Sequence, residues 1–179
     1  RLREAMRSDV IVTSGGVSVG DYDLVKDVLQ DMGMDMKFWK VAMRPGQPLA
    51  FGTIGNRPTF GLPGNPVAAM ISFEQFARPA LRKMGGYAQL FRKTVDAAAA
   101  ETIETKTGRK YFLRCRLTSG SGGYSALTTG EQGSGILRSM TEADGLMIVA
   151  DDVGTVQPGD RVKVQIFDPN FGFTENPDY

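Results

Sequence analysis

"SDVIVTSGGVSVGDYDLVKDVLQDMG", residues 8–33, is the stretch whose reading decides the fold class. "SDVIVTS" is a short apolar run ending in Ser14-Gly15-Gly16, the pattern of a buried strand that feeds a loop. "DLVKDVLQDMG" then places Leu24, Val25, Val28, Leu29 and Met32 at helical spacing, with Gly33 as a C-terminal stop. Strand, glycine loop and helix in that order build an α/β sheet, and the loop lies beyond the strand's carboxyl end, where open α/β sheets bind ligands. Gly15, Gly16 and Gly20 let a backbone approach a phosphate closely, and Ser14 and Ser18 add hydroxyl donors. The same glycines also satisfy plain turn geometry. The loop is neither GxGxxG nor a Walker A loop, because no Lys-Ser/Thr follows it. Asp21 and Asp23 open the helix, where acids cap the first turn and favour the dipole. Their functional alternative is a metal or water contact beside the phosphate loop.

A second loop of the same kind lies in "GLPGNPVAAM", residues 61–70. Pro63, Gly64, Asn65 and Pro66 form a stiff, side-chain-poor approach to a helix, and a helix N-terminus offers unpaired N–H groups and positive dipole to an anion. An ordinary strand-to-helix turn with Pro at the helix start has the same composition. The helical pattern runs from Pro66 to Met84, with Ala69, Ile71, Phe73, Phe76, Ala80 and Leu81 expected in the core and Pro79 expected to kink or split it. Between the two loops, "MKFWKVA", "PLAFGTI" and "RPTFGL" read as strands, with Gly55-Asn56 as a turn. "FWKVAMRPGQP" carries Lys40 and Arg44 four residues apart. On one strand they face the same side and reach one anionic ligand; the alternative is two solvated edge charges.

Gly85-Gly86 marks the expected domain boundary, giving an α/β domain over 1–86 and a second domain over 87–179. The second domain reads as short strands in "TVDAAAAETI", "KYFLRCRL", "YSALTT", "LMIVA" and "RVKVQIF", separated by turns such as "SGSGG" and "QPGD". That pattern predicts a small barrel or sandwich, with the alanine run at 97–100 taken as strand. Arg114 falls within an apolar strand and Ser134 in a glycine-rich loop that starts a helical turn; Arg109 and Arg116 read as surface. The tail from Pro169 reads as a poorly ordered extension.

Composition narrows the chemistry. The 179 residues are 41% hydrophobic and 23% charged with a net charge of +1, so no bulk field points to nucleic acid or an anionic membrane. No apolar run approaches the roughly 20 residues that cross a bilayer. One cysteine, Cys115, leaves no intrachain disulfide and fits a reducing compartment, so cytoplasm is the expectation. With no histidine in the chain, Ser-His-Asp and Cys-His nucleophiles and His-ligated zinc are excluded. Carboxylates, Lys and Arg, hydroxyls, backbone amides or a bound metal remain. A first residue of Arg1 rather than Met suggests a fragment.

Taken together, "SGGVSVGDYD", "FWKVAMRPGQP", "FGLPGNPVA" followed by "SF", and the later "GR…F.R…G.QGS" resemble the molybdopterin molybdenumtransferase family (MoeA and the E domain of gephyrin). Their order and spacing hold across residues 8–168. The resemblance implies the C-terminal part of a MogA-like three-layer α/β domain, followed by a small all-β domain. It implies the last step of molybdenum cofactor synthesis: molybdate enters adenylylated molybdopterin at the dithiolene and AMP leaves, with help from a divalent metal, expected to be Mg2+. By resemblance the two glycine loops hold the pterin phosphate and nucleotide. Asp23 (also the metal ligand), Lys40 and Arg44 are then the catalytic candidates. Ser14, Gly15, Gly16, Ser18, Gly20, Pro63, Gly64, Asn65, Pro66, Arg114 and Ser134 are the binding candidates. At 44 the family often has Lys, and Arg keeps the charge while changing the geometry. In the family, the MogA-like domain starts upstream with a strand and an acidic loop, and further domains precede it. The resemblance therefore implies a fragment, inactive alone, of a protein that works as a homodimer. A gephyrin-like scaffold and a MogA-type adenylyltransferase are the alternatives.

Overall fold

A computed structural model describes residues 2–16, 24–168 and 171. The chain divides into two compact units: residues up to 91 together with 133–137, and 92–132 together with 138 onward. The expected disorder of the tail from Pro169 and the readings of Ser18, Gly20, Asp21 and Asp23 fall outside the described residues, apart from Phe171.

The first unit runs α1 (Leu2–Ala5), β1 (Ile11–Ser14), α2 (Leu24–Asp31), β2 (Met34–Lys40), the two-residue β3 (Met43–Arg44), β4 (Pro48–Ile54) and β5 (Arg57–Leu62). It continues with α3 (Pro66–Ser72), a π-helical segment (Phe73–Ala77) and α4 (Arg78–Met84). Strands order β1-β5-β4-β2, with β1 parallel to β5 and the other neighbours antiparallel. Two apolar clusters lie on this sheet. Ile11, Met34 and Ile54 pack with Leu29 and Val25 of α2 on one. Leu49, Phe60 and Leu62 pack with Ala69 of α3, Ala77 and Ala80 on the other. Helices thus cover both faces of the sheet, the three-layer arrangement expected of the strand–loop–helix pattern. The inner strand β5 is buried over Thr59–Leu62 without alternation, while β1 sits at the edge with Val12 42% exposed.

The helix from Pro66 to Met84 is split ahead of Pro79, as expected: the Arg78 N–H reaches the Phe73 carbonyl, an i−5 bond. Proline lacks an N–H and its ring crowds the carbonyl four residues back, so the wider turn absorbs the misfit. That extra residue rotates the apolar face. Ile71 is buried as expected, whereas Phe73 and Leu81, also expected in the core, are 36% and 37% exposed, and Val67, Ala68 and Ala77 are buried. Likewise, Lys40 and Arg44 do not share a strand. β2 ends at Lys40, the Met43 N–H turns back to the Val41 carbonyl, and Arg44 belongs to β3. The same-side spacing of a continuous strand therefore does not apply.

The second unit runs β6 (Thr94–Ala99), β7 (Ile103–Glu104), β8 (Lys110–Gly120), β9 (Gly123–Thr128), α5 (Arg138–Thr141), β10 (Gly145–Val149), β11 (Thr155–Val156) and β12 (Arg161–Ile166). Five strands follow one another as β10-β12-β6-β9-β8, and β8 pairs again with β10, which closes the barrel and leaves none of the five with a free edge. The alternation of the sequence sets the lumen: Ala97 and Ala99; Tyr111, Leu113 and Cys115; Met147 and Val149; Val162, Val164 and Ile166 all enter one core. The alanine run is strand, as expected, and its small side chains lie where β6 runs parallel to β9, Ala99 facing Ala126. A short ribbon of β7 and β11 completes the unit.

Candidate functional site

β1 and β5 lie side by side and parallel, with Ser14 opposite Leu62, so the loops that leave them emerge at the same end of the sheet. They meet there. The Gly15 N–H donates to the Leu62 carbonyl at 2.9 Å, and the Ser14 hydroxyl donates to the Pro63 carbonyl at 3.2 Å. A methyl placed on Gly64 would lie 3.5 Å from Cα of Gly15, so the two backbones are one side chain apart. Gly15 and Gly16 have φ of +89° and +70°, a region that side chains disfavour, and a methyl on Gly16 would lie 2.4 Å from a Val25 methyl. The glycines here are needed both for backbone conformation and for close approach. The structure thus brings Ser14, Gly15 and Gly16 to Pro63 and Gly64, as the loop reading anticipates for this part of the first loop.

The second loop differs from its expected form at the helix itself. Asn65 is the N-cap of α3 and Pro66 its first residue, but the Asn65 side chain does not cap the helix. Its Nδ2 instead donates to Oγ of Ser134 at 2.9 Å, and the Val67 N–H donates to the Ser134 carbonyl at 3.1 Å. Segment 133–137 therefore covers the first turn of α3 within the first unit. Pro63 and Pro66 carry no N–H, so among residues 63–66 only Gly64 and Asn65 offer amides to an anion. The link between Asn65 and Ser134 was not foreseen, because the two lie 69 residues apart. The only signal was that "GNP" and "QGS" both pair a small polar residue with glycine in a loop.

Lys40 and Arg44 are both exposed, Lys40 with its ammonium 4.5 Å from the centre of the Trp39 ring. The turn after Arg44 packs inward, since a methyl on Gly46 would fall 2.5 Å from Oγ of Ser72 in α3. Arg114 has the opposite fate. Its side chain is fully buried in β8, and burial lowers the guanidinium's affinity for its proton. Nε donates to Oγ of Ser139 at 3.0 Å and a terminal nitrogen to the Glu131 carbonyl at 3.4 Å. Among the described residues no group of three or more Asp, Glu or Cys side chains comes together. The expected metal ligand Asp23 lies outside the described residues.

Comparison with known proteins agrees with this two-part architecture. Residues 1–83 match the family described as "Probable molybdopterin binding domain", and residues 96–167 match the "MoeA C-terminal region (domain IV)". The chain is 37% identical over 167 residues to molybdopterin molybdenumtransferase 2 of Mycobacterium tuberculosis, covering 90% of the chain and 41% of that protein. It is 34% identical to the molybdopterin molybdenumtransferase of Haemophilus influenzae, covering 93% of the chain and 41% of that protein. A gephyrin of Dictyostelium discoideum is 34% identical over 91% of the chain and 26% of its own length. Among solved structures, a molybdopterin biosynthesis MoeA protein from Pyrococcus horikosii superimposes with a TM-score of 0.76 at 27% identity, over 93% of this chain and 39% of that one. The chain thus spans about two fifths of the length of the bacterial relatives it matches. With a molybdopterin-binding α/β unit followed by a MoeA C-terminal barrel, it belongs to the molybdopterin molybdenumtransferase family.

Proposed function

We propose that this chain is part of an enzyme of molybdenum cofactor biosynthesis that inserts molybdate into adenylylated molybdopterin and releases AMP. The observation that carries the reading is the joint match: one family model over residues 1–83, the other over 96–167. The MoeA C-terminal region favours this activity over that of a molybdopterin adenylyltransferase, and a scaffold role rests on a relative's name alone.

In this reading the junction of Ser14–Gly16 with Pro63–Asn65 receives the phosphate end of the substrate. Backbone amides at the ends of parallel strands favour negative charge there, and the glycines remove side chains that would block a phosphate. Lys40 and Arg44, both exposed, supply positive charge to the anionic substrates. Asp23 orients the oxygen that attacks the phosphoanhydride, as a carboxylate does in a chain without histidine. Asp23 would hold the divalent ion that the family resemblance implies, which would offset charge developing on the phosphate oxygens. A cytoplasmic homodimer completes the assignment; β1, an edge strand with Val12 exposed, offers the kind of surface a second chain covers.

The test is complementation of a bacterial strain that lacks its molybdopterin molybdenumtransferase. The whole protein restores molybdoenzyme activity, and Asp23→Asn lowers molybdenum insertion by a factor on the order of 10² to 10³ while molybdopterin binding persists. No restoration by well-expressed wild type overturns the reading; turnover within a few-fold of wild type in Asp23→Asn reduces Asp23 to a helix-capping acid.

A further inference from the structure

Lys40 ends β2, and Arg44 follows in a segment that closes on itself within the first unit. Lys40 stands opposite Pro48 where β2 and β4 pair, and the Val41 N–H donates to the Gln47 carbonyl at 3.0 Å, so the ends of residues 41–47 are tied together. The Met43 N–H folds back to the Val41 carbonyl at 2.8 Å. Met43, Pro45 and Gly46 are buried, and Arg44 between them is exposed. Gly46 packs on α3. A methyl there would lie 2.5 Å from Ser72 Oγ, 2.8 Å from the Met43 methyl and 3.5 Å from the Ala68 carbonyl oxygen, and Gly46 has φ of +102°. Ala68 and Ser72 are four residues apart and so lie on one face of the helix. The bare Cα of Gly46 therefore sits in a seat whose floor is Ser72.

Serine is an unfavourable choice for that floor. Ser72 is 0% exposed, and among the described residues its hydroxyl has no hydrogen-bond partner. Alanine is the better helix former and leaves no buried hydroxyl unpaired, so local stability alone selects against serine here. Departures of that kind concentrate where a functional site needs them. The size of the side chain supplies the reason. Oγ fills the gap between the helix and Gly46, and alanine would leave that gap one atom too wide. Tied at its ends and seated on Ser72 in its middle, the loop gives Arg44 one backbone position while its side chain stays exposed.

We propose that Ser72 is a positioning residue for Arg44: by filling the space under Gly46 it fixes the loop from which the guanidinium meets an anionic substrate. As a statement about substrate this rests on the molybdopterin reading; as a statement about the loop it does not. Two measurements on Ser72→Ala keep those apart. The first is amide hydrogen exchange. The Val41 N–H closes the loop on Gln47, so its exchange accelerates about tenfold or more, while the midpoint of urea unfolding stays the same or rises because an unpaired buried hydroxyl is gone. Unchanged exchange at Val41 overturns the proposal, and so does a fall in the urea midpoint large enough to account for the acceleration. The second is steady-state kinetics of the whole protein with adenylylated molybdopterin. Arg44 contributes binding, so Ser72→Ala raises KM about fivefold or more with kcat within about twofold, and adding it to Arg44→Ala raises KM no further. A KM unchanged in Ser72→Ala, or additive losses in the double variant, overturns the positioning role. Wild-type protein without turnover on adenylylated molybdopterin, with Val41 exchange still accelerated in Ser72→Ala, rejects the molybdopterin reading and leaves the loop's mechanics standing.

Discussion

The turn that follows β2 and the wall of the barrel each hold an arginine, and they treat it in opposite ways. Arg44 stands exposed just before a turn that buries Pro45 and Gly46 and packs Gly46 against α3, so its guanidinium faces water. Arg114 lies in β8, where β10 flanks it on one side and Thr129 and the Gln132 amide meet its backbone on the other, and its side chain is fully buried. An exposed cation is available to an anion that arrives from solution. A buried one is desolvated at a cost and persists only where its donors are bonded, here to Ser139 and the Glu131 carbonyl. The difference leaves Arg44 open to an arriving anion, while the Arg114 guanidinium is committed to Ser139 and the Glu131 carbonyl.

That contrast breaks or sharpens first on stability. Arg114→Ala removes a large buried side chain and strands the groups bonded to it, so it costs about 3 kcal/mol. Arg44→Ala changes stability by no more than about 0.5 kcal/mol. Urea unfolding of the two variants measures both; a loss below about 1 kcal/mol for Arg114→Ala removes its structural assignment.

Next comes the neighbouring Cys115, also fully buried in the barrel wall, whose thiol is pushed up to about 12 by burial. The folded state keeps the proton that the unfolded state releases above pH 9, so stability falls as pH rises from 9 towards 12. At pH 10 this contributes about 1.4 kcal/mol of loss, absent from Cys115→Ala. The check is the pH dependence of unfolding in both proteins, and equal slopes would mean that the thiol is wetter than its surroundings imply.

The smallest effect belongs to the barrel's exterior. Arg138 and Arg116 hold the half-buried Glu142 carboxyl below its usual range, Arg138 first. A depressed carboxylate stabilises the fold above its ordinary value near 4.5, and that contribution fades as pH falls through the folded value. Glu142→Gln therefore flattens the acid limb slightly, and addition of salt to the wild type mimics it.

These differences mark what the sequence disclosed. Strand, loop and helix order in the first unit, and the alternation of Tyr111, Leu113 and Cys115 in the second, were legible because period and turn residues are local signals. Arg114 stood out for its type, but strand pairing far along the chain decides whether a guanidinium is buried, and no local pattern carries that. The exposure of Phe73 and Leu81 was hidden for a related reason: one i−5 bond before Pro79 turns the face of the helix. The Asn65–Ser134 bond and the Gln132–Arg114 pairing join distant segments through single polar side chains, which leave no periodicity to read.

The central claim is that the two glycine loops of the first unit form one site for molybdopterin. Amide 1H–15N spectra recorded as adenylylated molybdopterin is added test it most directly. The account predicts that Gly15, Gly16, Gly64 and Asn65 shift together along one saturation curve, while barrel-core amides such as Met147 and Val164 stay still. Saturable binding that leaves those four amides unmoved, or shifts confined to the barrel, would contradict it.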